Sequence, residues 1–312
     1  MTDDLVRELP ASNAFDRMRV DVAGLYARYP LAARRDWPGS PPPFLPIYSA
    51  PLPLRVRLAA WKLLHRVRLD ERWVTRFAAY WVDILGGRPM MSADDFHFLR
   101  GIYRIRHQGD GITDTNDAAT HVGAWQQRTM IYQVFAQQFF ESIDPRLAEA
   151  HWLRRLRVKS FIEFGAASAP VTTAYRQFFG GDVPSTIVDI ETVAFHYAAF
   201  KFKNDPHVTP ITLSVQNDLL PPADLKADAI VCKATFEHLK DPLEIARRFA
   251  AQLNPGGYLI FDYLHSEGDG LDTMHGVRQR DAVLDFIDQR FSPLHGTARQ
   301  HRGSQLTVAR LR

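Results

Sequence analysis

Two rhythms of apolar and polar positions divide the chain near residue 157. In the first half apolar residues recur at steps of three and four. Phe15, Met18, Val22 and Leu25 predict a helix over residues 13–28. Trp61, Leu64, Trp73, Phe77, Tyr80 and Trp81 predict one or two helices over 54–85, ended by Gly86-Gly87. Further helices are expected over 94–107, 120–143 and 145–156, with 109–116 a loop. Residues 38–53 hold seven of the 20 prolines, so they read as an extended strap and not as a helix or central strand. No strand is expected in this half.

From residue 158 short apolar runs alternate with helical patterns. Strands are expected over 158–164, 186–190, 211–215, 227–231 and 258–263, and helices over 171–179, 192–203 and 242–253. Such alternation implies right-handed βαβ units and a parallel sheet. Residues 291–298 and 304–311 read as two strands joined by a polar turn through Arg302-Gly303, a hairpin. The fold class is therefore α/β. A doubly wound, mostly parallel seven-stranded sheet with a C-terminal antiparallel hairpin follows an α-helical N-terminal cap. The expected division is 1–157 for the cap and 158–312 for the sheet domain.

Composition narrows the class. With 46% hydrophobic and 23% charged residues, the chain is an ordinary globular one. The single cysteine, Cys232, excludes a disulfide framework within the chain and fits a reducing compartment. The formal charge of +3 makes no case for nucleic acid. The acidic start, Met1-Thr2-Asp3-Asp4, is followed by no apolar run, and no segment is apolar enough to span a membrane. A soluble cytoplasmic protein is expected.

In an open doubly wound sheet, ligands bind beyond the carboxyl ends of the strands. Four strand ends carry informative residues. Glu163-Phe164-Gly165-Ala166-Ala167-Ser168-Ala169-Pro170 is an acid at a strand mouth, then small residues, then a helix start. It reads as a ligand loop or as a tight helix–strand turn. Asp189, in Val188-Asp189-Ile190-Glu191, can hold a ribose diol, or it can cap the next helix. Asn217-Asp218 can meet an adenine, or it can be an ordinary loop pair. Cys232-Lys233 ends the fourth strand and leads to Glu237-His238-Leu239-Lys240-Asp241-Pro242. The helix after it ends in Leu253-Asn254-Pro255-Gly256-Gly257.

This ordered set resembles the class I S-adenosyl-L-methionine (SAM)-dependent methyltransferases that act on small molecules. The likeness covers about residues 158–312. Glu163-Phe164-Gly165 matches the start of the family's first motif, and Ala167 and Ala169 stand where it has further glycines. Ala227-Asp228-Ala229-Ile230 with Glu237-His238-Leu239-Lys240-Asp241-Pro242, and then Leu253 to Gly257, match its later motifs. The resemblance implies SAM as cofactor, held by Glu163, Gly165, Ala166, Ala167, Asp189, Ile190, Asn217, Asp218 and Lys233. Lysine is unhelpful beside a sulfonium, so Lys233 is expected to face Glu163 or an acidic substrate. Ala234 replaces an acid found in metal-using relatives, so no metal is expected.

A base that deprotonates the acceptor is sought in His265 and His238. For His238 a bond to nearby backbone is the competing reading. Trp125, Tyr132 and His121, on the predicted 120–143 helix, are candidates for substrate contact, although a Trp125–Tyr132 stripe also suits a core. The expected function is methyl transfer to a small-molecule acceptor, at O or N before C, in a biosynthetic setting. The rivals are a catalytically silent methyltransferase-like scaffold and, less favoured, a nicotinamide-dependent oxidoreductase. The helix around Trp61 to Trp81 suggests a homodimer contact; no nucleic acid or membrane partner is expected.

Overall fold

The computed structural model describes residues 146–264, 272–299 and 305–312 without a break; before residue 146 it describes 6–8, 18–20, 79–85, 118–126 and several shorter runs. The chain divides into two compact units. Met1–Gln108, Gln127–Pro145 and His196–Lys201 form the first, and the remaining residues form the second.

In the first unit, strands β1 (Val6–Glu8) and β2 (Met18–Val20) pair antiparallel. This corrects the expectation of a strand-free N-terminal half and, at 18–20, that of a helix over 13–28; Gly24, Ala27 and Arg28 are helical as expected. Met18 and Val20 also lie two apart, a period that suits a strand, and β-branched Val20 favours it. Phe77, Tyr80 and Trp81 are buried. The Tyr197 ring meets Phe77 edge-on at 5.5 Å, and its hydroxyl donates to Gln138 Oε1 at 2.9 Å. Trp81 thus belongs to an interior and not to a dimer face; Trp61 lies outside the described residues. The helix here widens by one residue, since Leu85 N–H donates to Tyr80 O at 3.1 Å.

The second unit opens with α1 (Ala118–Trp125) and α2 (Leu147–Arg155). Of the expected helix over 120–143, α1 runs to Trp125 with a turn at Gln126, and helical residues are described again between 130 and 138; residues 127–129 lie outside the described residues. A seven-stranded sheet follows. Its strands are β3 (Phe161–Phe164), β4 (Ser185–Ile190), β5 (Val208–Leu213), β6 (Ala227–Cys232), β7 (Leu253–Phe261), β8 (Phe291–His295) and β9 (Thr307–Leu311). The order across the sheet is β5-β4-β3-β6-β7-β9-β8. β3 to β7 run parallel, and β9 is antiparallel to both β7 and β8. The expected seven-stranded mixed sheet is therefore present; the turn through Arg302-Gly303 lies outside the described residues. Helices α3 (Pro170–Phe178), α4 (Val193–Phe202) and α5 (Pro242–Gln252) join the parallel strands. Between β7 and β8 lie α6 (Met274–Arg278) and α7 (Arg280–Arg290), where no element was expected.

The central strands are apolar runs because both faces of the sheet are covered. Ile187, Val188, Ile230, Val231, Leu259 and Ile260 are fully buried. Chain order reverses between β3 and β6, so the crevice of such a sheet opens beyond their carboxyl ends. At the opposite end Asp228 ties three strands together. It accepts from Lys159 N–H at 2.8 Å and from the Asn254 side chain at 2.7 Å. β7 already begins at Leu253, with a register shift opposite Ala227 and Ala229 before the ladder resumes at Tyr258. Among the described residues no helix is long and apolar enough to cross a membrane.

Gly257 marks how tight this junction is. A Cβ there would lie 2.9 Å from the carbonyl oxygens of Asn254 and Asp228. Backbone cannot yield cheaply, so Gly257→Ala is expected to cost about 1–3 kcal/mol, seen as a lower thermal midpoint by circular dichroism.

Candidate active site

The first strand mouth is organised by one carboxylate. All four residues of β3 are buried, Glu163 among them. Helix α3 starts with Pro170 after Ala169, whose methyl group cannot cap it. Glu163 supplies the missing acceptors from the neighbouring strand. Val171 N–H donates to Oε1 at 2.9 Å and Thr172 N–H to Oε2 at 2.7 Å. The charge also meets the positive end of the helix dipole.

Between strand and helix the backbone turns through left-handed conformations. Gly165 has φ 65°, Ala167 φ 45° and Ala169 φ 53°. At Gly165 a Cβ would strike the Thr235 side chain at 2.3 Å, so packing alone requires glycine there. Ala167 and Ala169 adopt what glycine adopts freely, at a steric cost of roughly 1 kcal/mol each. Ala169 N–H donates to Ala166 O at 2.6 Å, closing the loop.

Asp189 pins this loop to the end of β4. Its Oδ2 accepts from Ala167 N–H at 2.6 Å and its Oδ1 from Ile190 N–H at 2.7 Å. A carboxylate has about four acceptor positions, so two remain. Burial pushes the Asp189 carboxyl up to about 6, against the two backbone hydrogen bonds that pull it down. Beyond β5, Ser214 caps a short turn, Val215–Asn217. Asn217 and Asp218 are exposed there, and Asp218 pairs with Lys240. Helix α1 lies against this turn.

Lys233, at the end of β6, is bound to carboxylates other than the expected one. Its Nζ lies 2.6 Å from Asp262 Oδ2 and 3.8 Å from Glu149 Oε1; Glu163 is not its partner. Asp262 Oδ1 also accepts from Ala234 N–H at 2.6 Å. Asp262 and Glu149 are both buried. Glu149 Oε1 also lies 4.0 Å from Arg146 Nη1, so the two carboxylates face two cations.

A second cluster surrounds His238, which sits on the short turn Phe236–His238. Its Nδ1 lies 3.0 Å from Asp272 Oδ1 and its Nε2 3.8 Å from Glu237 Oε1. The Trp125 ring meets the imidazole edge-on at 5.2 Å. Glu237 is buried, and burial pushes its carboxyl up to about 7, with His238 pulling the other way. Helix α6 braces the turn. Thr273 N–H donates to Glu237 O at 3.0 Å, and a Cβ on Gly276 would lie 2.1 Å from that oxygen. Tyr263 stacks on Phe236 and donates to Gly276 O. Its hydroxyl is held well above the ordinary range, by burial first and the Glu237 charge next. Cys232 is buried nearby, its thiol pushed up by burial and by Asp262 and Glu237.

Of the expected residues, those of the Glu163–Ala167 loop and Asp189 are hydrogen-bonded into one unit, and Trp125 meets His238. His265 and Tyr132 lie outside the described residues, as does the side chain of His121. Glu149, Glu237, Asp262 and Asp272 were not foreseen. Glu237 stands beside His238 in the motif, and Asp262 ends an apolar strand, so both carried a signal; Glu149 and Asp272 carried none. Among the described residues no group of three His, Cys, Asp or Glu is placed to hold a metal.

The methyltransferase-domain family model matches residues 132–307. A tRNA U34 carboxymethyltransferase from Nautilia profundicola is 32% identical over 87 residues, 28% of this chain and 29% of that relative. The chain thus spans under a third of that relative's length. Among solved structures, N-methyltransferase NodS from Bradyrhizobium japonicum WM9, in complex with S-adenosyl-L-homocysteine, is 17% identical. It covers 54% of this chain and 89% of its own, at a TM-score of 0.38. The MccD protein is 12% identical, covering 54% of this chain and 97% of its own, at 0.39. At those TM-scores neither likeness bears on what the chain acts on.

Two substitutions separate the forces at the β3 mouth. Glu163→Gln leaves one helix N–H facing an amide NH2, and is expected to cost about 2 kcal/mol. Ala167→Gly relieves the left-handed Cβ and is expected to gain about 1 kcal/mol. Urea unfolding midpoints read both, in opposite directions.

Proposed function

The chain belongs to the methyltransferase-domain family, a SAM-dependent class of enzymes, and from that premise we propose that it methylates a small-molecule acceptor at an oxygen or nitrogen. What supports the reading is the joining of Asp189 to the left-handed loop after β3, at the carboxyl ends of the central strands. Asp189 keeps two acceptor positions for a ribose diol. Backbone of Gly165, Ala166 and Ala167 flanks the methionine portion, near Glu163. Ile190, Asn217 and Asp218 lie on the nucleoside side. Asp262 and Glu149 balance the Lys233 charge, which lessens the conflict of a lysine near a sulfonium.

Bound SAM supplies a methyl group on sulfur, activated for in-line displacement. The chain supplies alignment and a proton acceptor. Asp272 Oδ1 lies 3.0 Å from Nδ1 of His238 and favours the charged imidazolium, so the ring is the candidate to take the proton of the acceptor's O–H or N–H. Trp125 holds the ring from one side. The His238 side chain is only 25% exposed, so a narrow acceptor reaches it more readily than a duplex does.

A nucleic-acid acceptor is the second reading, favoured by the name of the Nautilia profundicola relative. Tritiated SAM offered with bulk tRNA and, separately, with small-metabolite extracts separates the two; label in tRNA alone would overturn the small-molecule reading.

Calorimetry tests the cofactor. SAM and S-adenosyl-L-homocysteine are both expected to bind, and failure of both leaves the silent scaffold. Ribose hydroxyls favour the ionised carboxylate, so binding is coupled to loss of the Asp189 proton. With its carboxyl at about 6, affinity should fall roughly tenfold between about pH 7 and about pH 5. The free protein shows the opposite sign: the raised value contributes stability below the unfolded value near 4, lost as pH rises through about 6. Asp189→Asn should flatten the affinity profile; a profile unchanged in that variant removes Asp189 from the cofactor's contacts.

A further inference from the structure

Asp218 and Leu219 are consecutive residues in the left-handed region, with φ 53° and 61°, and neither is glycine. Such a conformation is costly for a side chain as bulky as leucine, and it persists only where the surroundings fix it. Here they do. Ser214 O, just after β5, accepts from the N–H groups of Asn217 and Leu219, each at 3.1 Å. Leu219 is buried in the core, while the Asp218 side chain stands 62% exposed beside it. The strained turn thus presents a carboxylate beyond the carboxyl end of β5.

The described partner of that carboxylate is the Lys240 ammonium, on Oδ1. The two residues follow β5 and β6, strands three places apart in the sheet. Lys240 is the firmer of the pair. Its side chain is only 19% exposed. Its backbone is held by α6 and the residue before it: Thr273 Oγ1 donates to Leu239 O at 2.5 Å, and His275 Nδ1 lies 2.9 Å from Lys240 O. Asp241, next in the chain, caps α5. Helix α1 joins the same two loops, lying against Val215–Asn217 while Trp125 meets His238. A pair exposed on one side contributes little to stability. Its larger effect is on geometry, since it fixes one oxygen of Asp218 and leaves the other. Among the described residues nothing meets Oδ2, and an ionised carboxylate only accepts.

We propose that Lys240 is a positioning residue for cofactor selectivity: it holds the Asp218 carboxylate so that Oδ2 accepts from the exocyclic amino group of adenine. The proposal rests on the reading of Asn217 and Asp218 as the nucleoside side of the SAM site. A purine with a carbonyl in place of that amino group offers no donor there, and its oxygen faces a carboxylate, so it is refused. Without Lys240 the Asp218 side chain moves freely in water, and ordering it at the moment of binding offsets part of what the hydrogen bond contributes.

Calorimetry of the full chain with two probes, S-adenosyl-L-homocysteine and S-inosyl-L-homocysteine, tests this. The probes differ only at the purine edge that carries the amino group. The unsubstituted protein is expected to favour the adenosyl compound by roughly tenfold or more. Lys240→Met keeps the apolar stem and removes the charge, and the ratio of the two affinities should fall about fivefold. Lys240→Arg should restore it. An unchanged ratio in Lys240→Met, even where both affinities drop together, overturns the proposal. Should Lys240→Met fail to fold, as judged by circular dichroism, salt decides on the unsubstituted protein. An exposed pair is screened, so the ratio should fall between about 0.05 M and about 1 M potassium chloride; a constant ratio overturns the proposal. The unsubstituted protein also separates this inference from the reading beneath it. Binding of neither compound removes the cofactor reading and the proposal with it. Binding of both without preference leaves the cofactor reading and overturns the adenine contact that Lys240 would serve.

Discussion

The two hydrogen bonds from Val171 and Thr172 to Glu163 tie the centre of the sheet to the start of a helix. Without them α3 would begin at an alanine that cannot cap it, and two buried N–H groups would lack partners. With them the helix start is set relative to β3, which leaves only Gly165 to Ala169 to bridge the gap. That short span forces the left-handed turns, and those turns aim Ala167 N–H at Asp189. Thr235 then fills the space that Gly165 leaves open. Strand, loop, helix and the neighbouring β4 and β6 mouths are thus positioned through one buried acid.

Burying this many ionisable groups at one end of a sheet carries a desolvation cost that a purely structural end would avoid. The opposite end shows the contrast. Asp228 meets only neutral donors, the Lys159 N–H and the Asn254 amide, and serves to hold strands together. At the carboxyl ends, Glu149, Asp262, Glu237 and Asp272 lie near Lys233 and His238, and acids outnumber bases. Such an arrangement is stable as it stands only because some of the acids hold protons or share cations.

The parts of the fold legible in the sequence were those governed by short-range rules. β4 and β6 sit within a residue of expectation because both faces are buried and their apolar runs are bounded by turns. α5 was legible from Pro242, and Asp241 does cap it by accepting from Glu244 N–H. α7 was overlooked although Val283, Leu284 and Ile287 recur at helical steps and are buried. β2 was misread because Met18 fits both the helical step to Val22 and the two-residue step to Val20. In the site, the motif beside His238 was legible, but the partners were not. Asp272 reaches His238 across 34 positions and Glu149 reaches Lys233 across 84, and no local pattern encodes such encounters. The role of Glu163 as a helix cap was likewise hidden, since its partners belong to the next element.

The alanines at positions 167 and 169 have a consequence for how a ligand is met. A loop of glycines samples many shapes in solution, and whatever binds must select one of them. An alanine has fewer basins to choose from, and here Asp189 and the closing bond to Ala166 already hold the less common one. The ordering entropy of this loop is therefore borne during folding and not at the moment of association. A ligand that meets this mouth, as proposed for the cofactor, would dock onto a finished surface with no slow rearrangement of the loop.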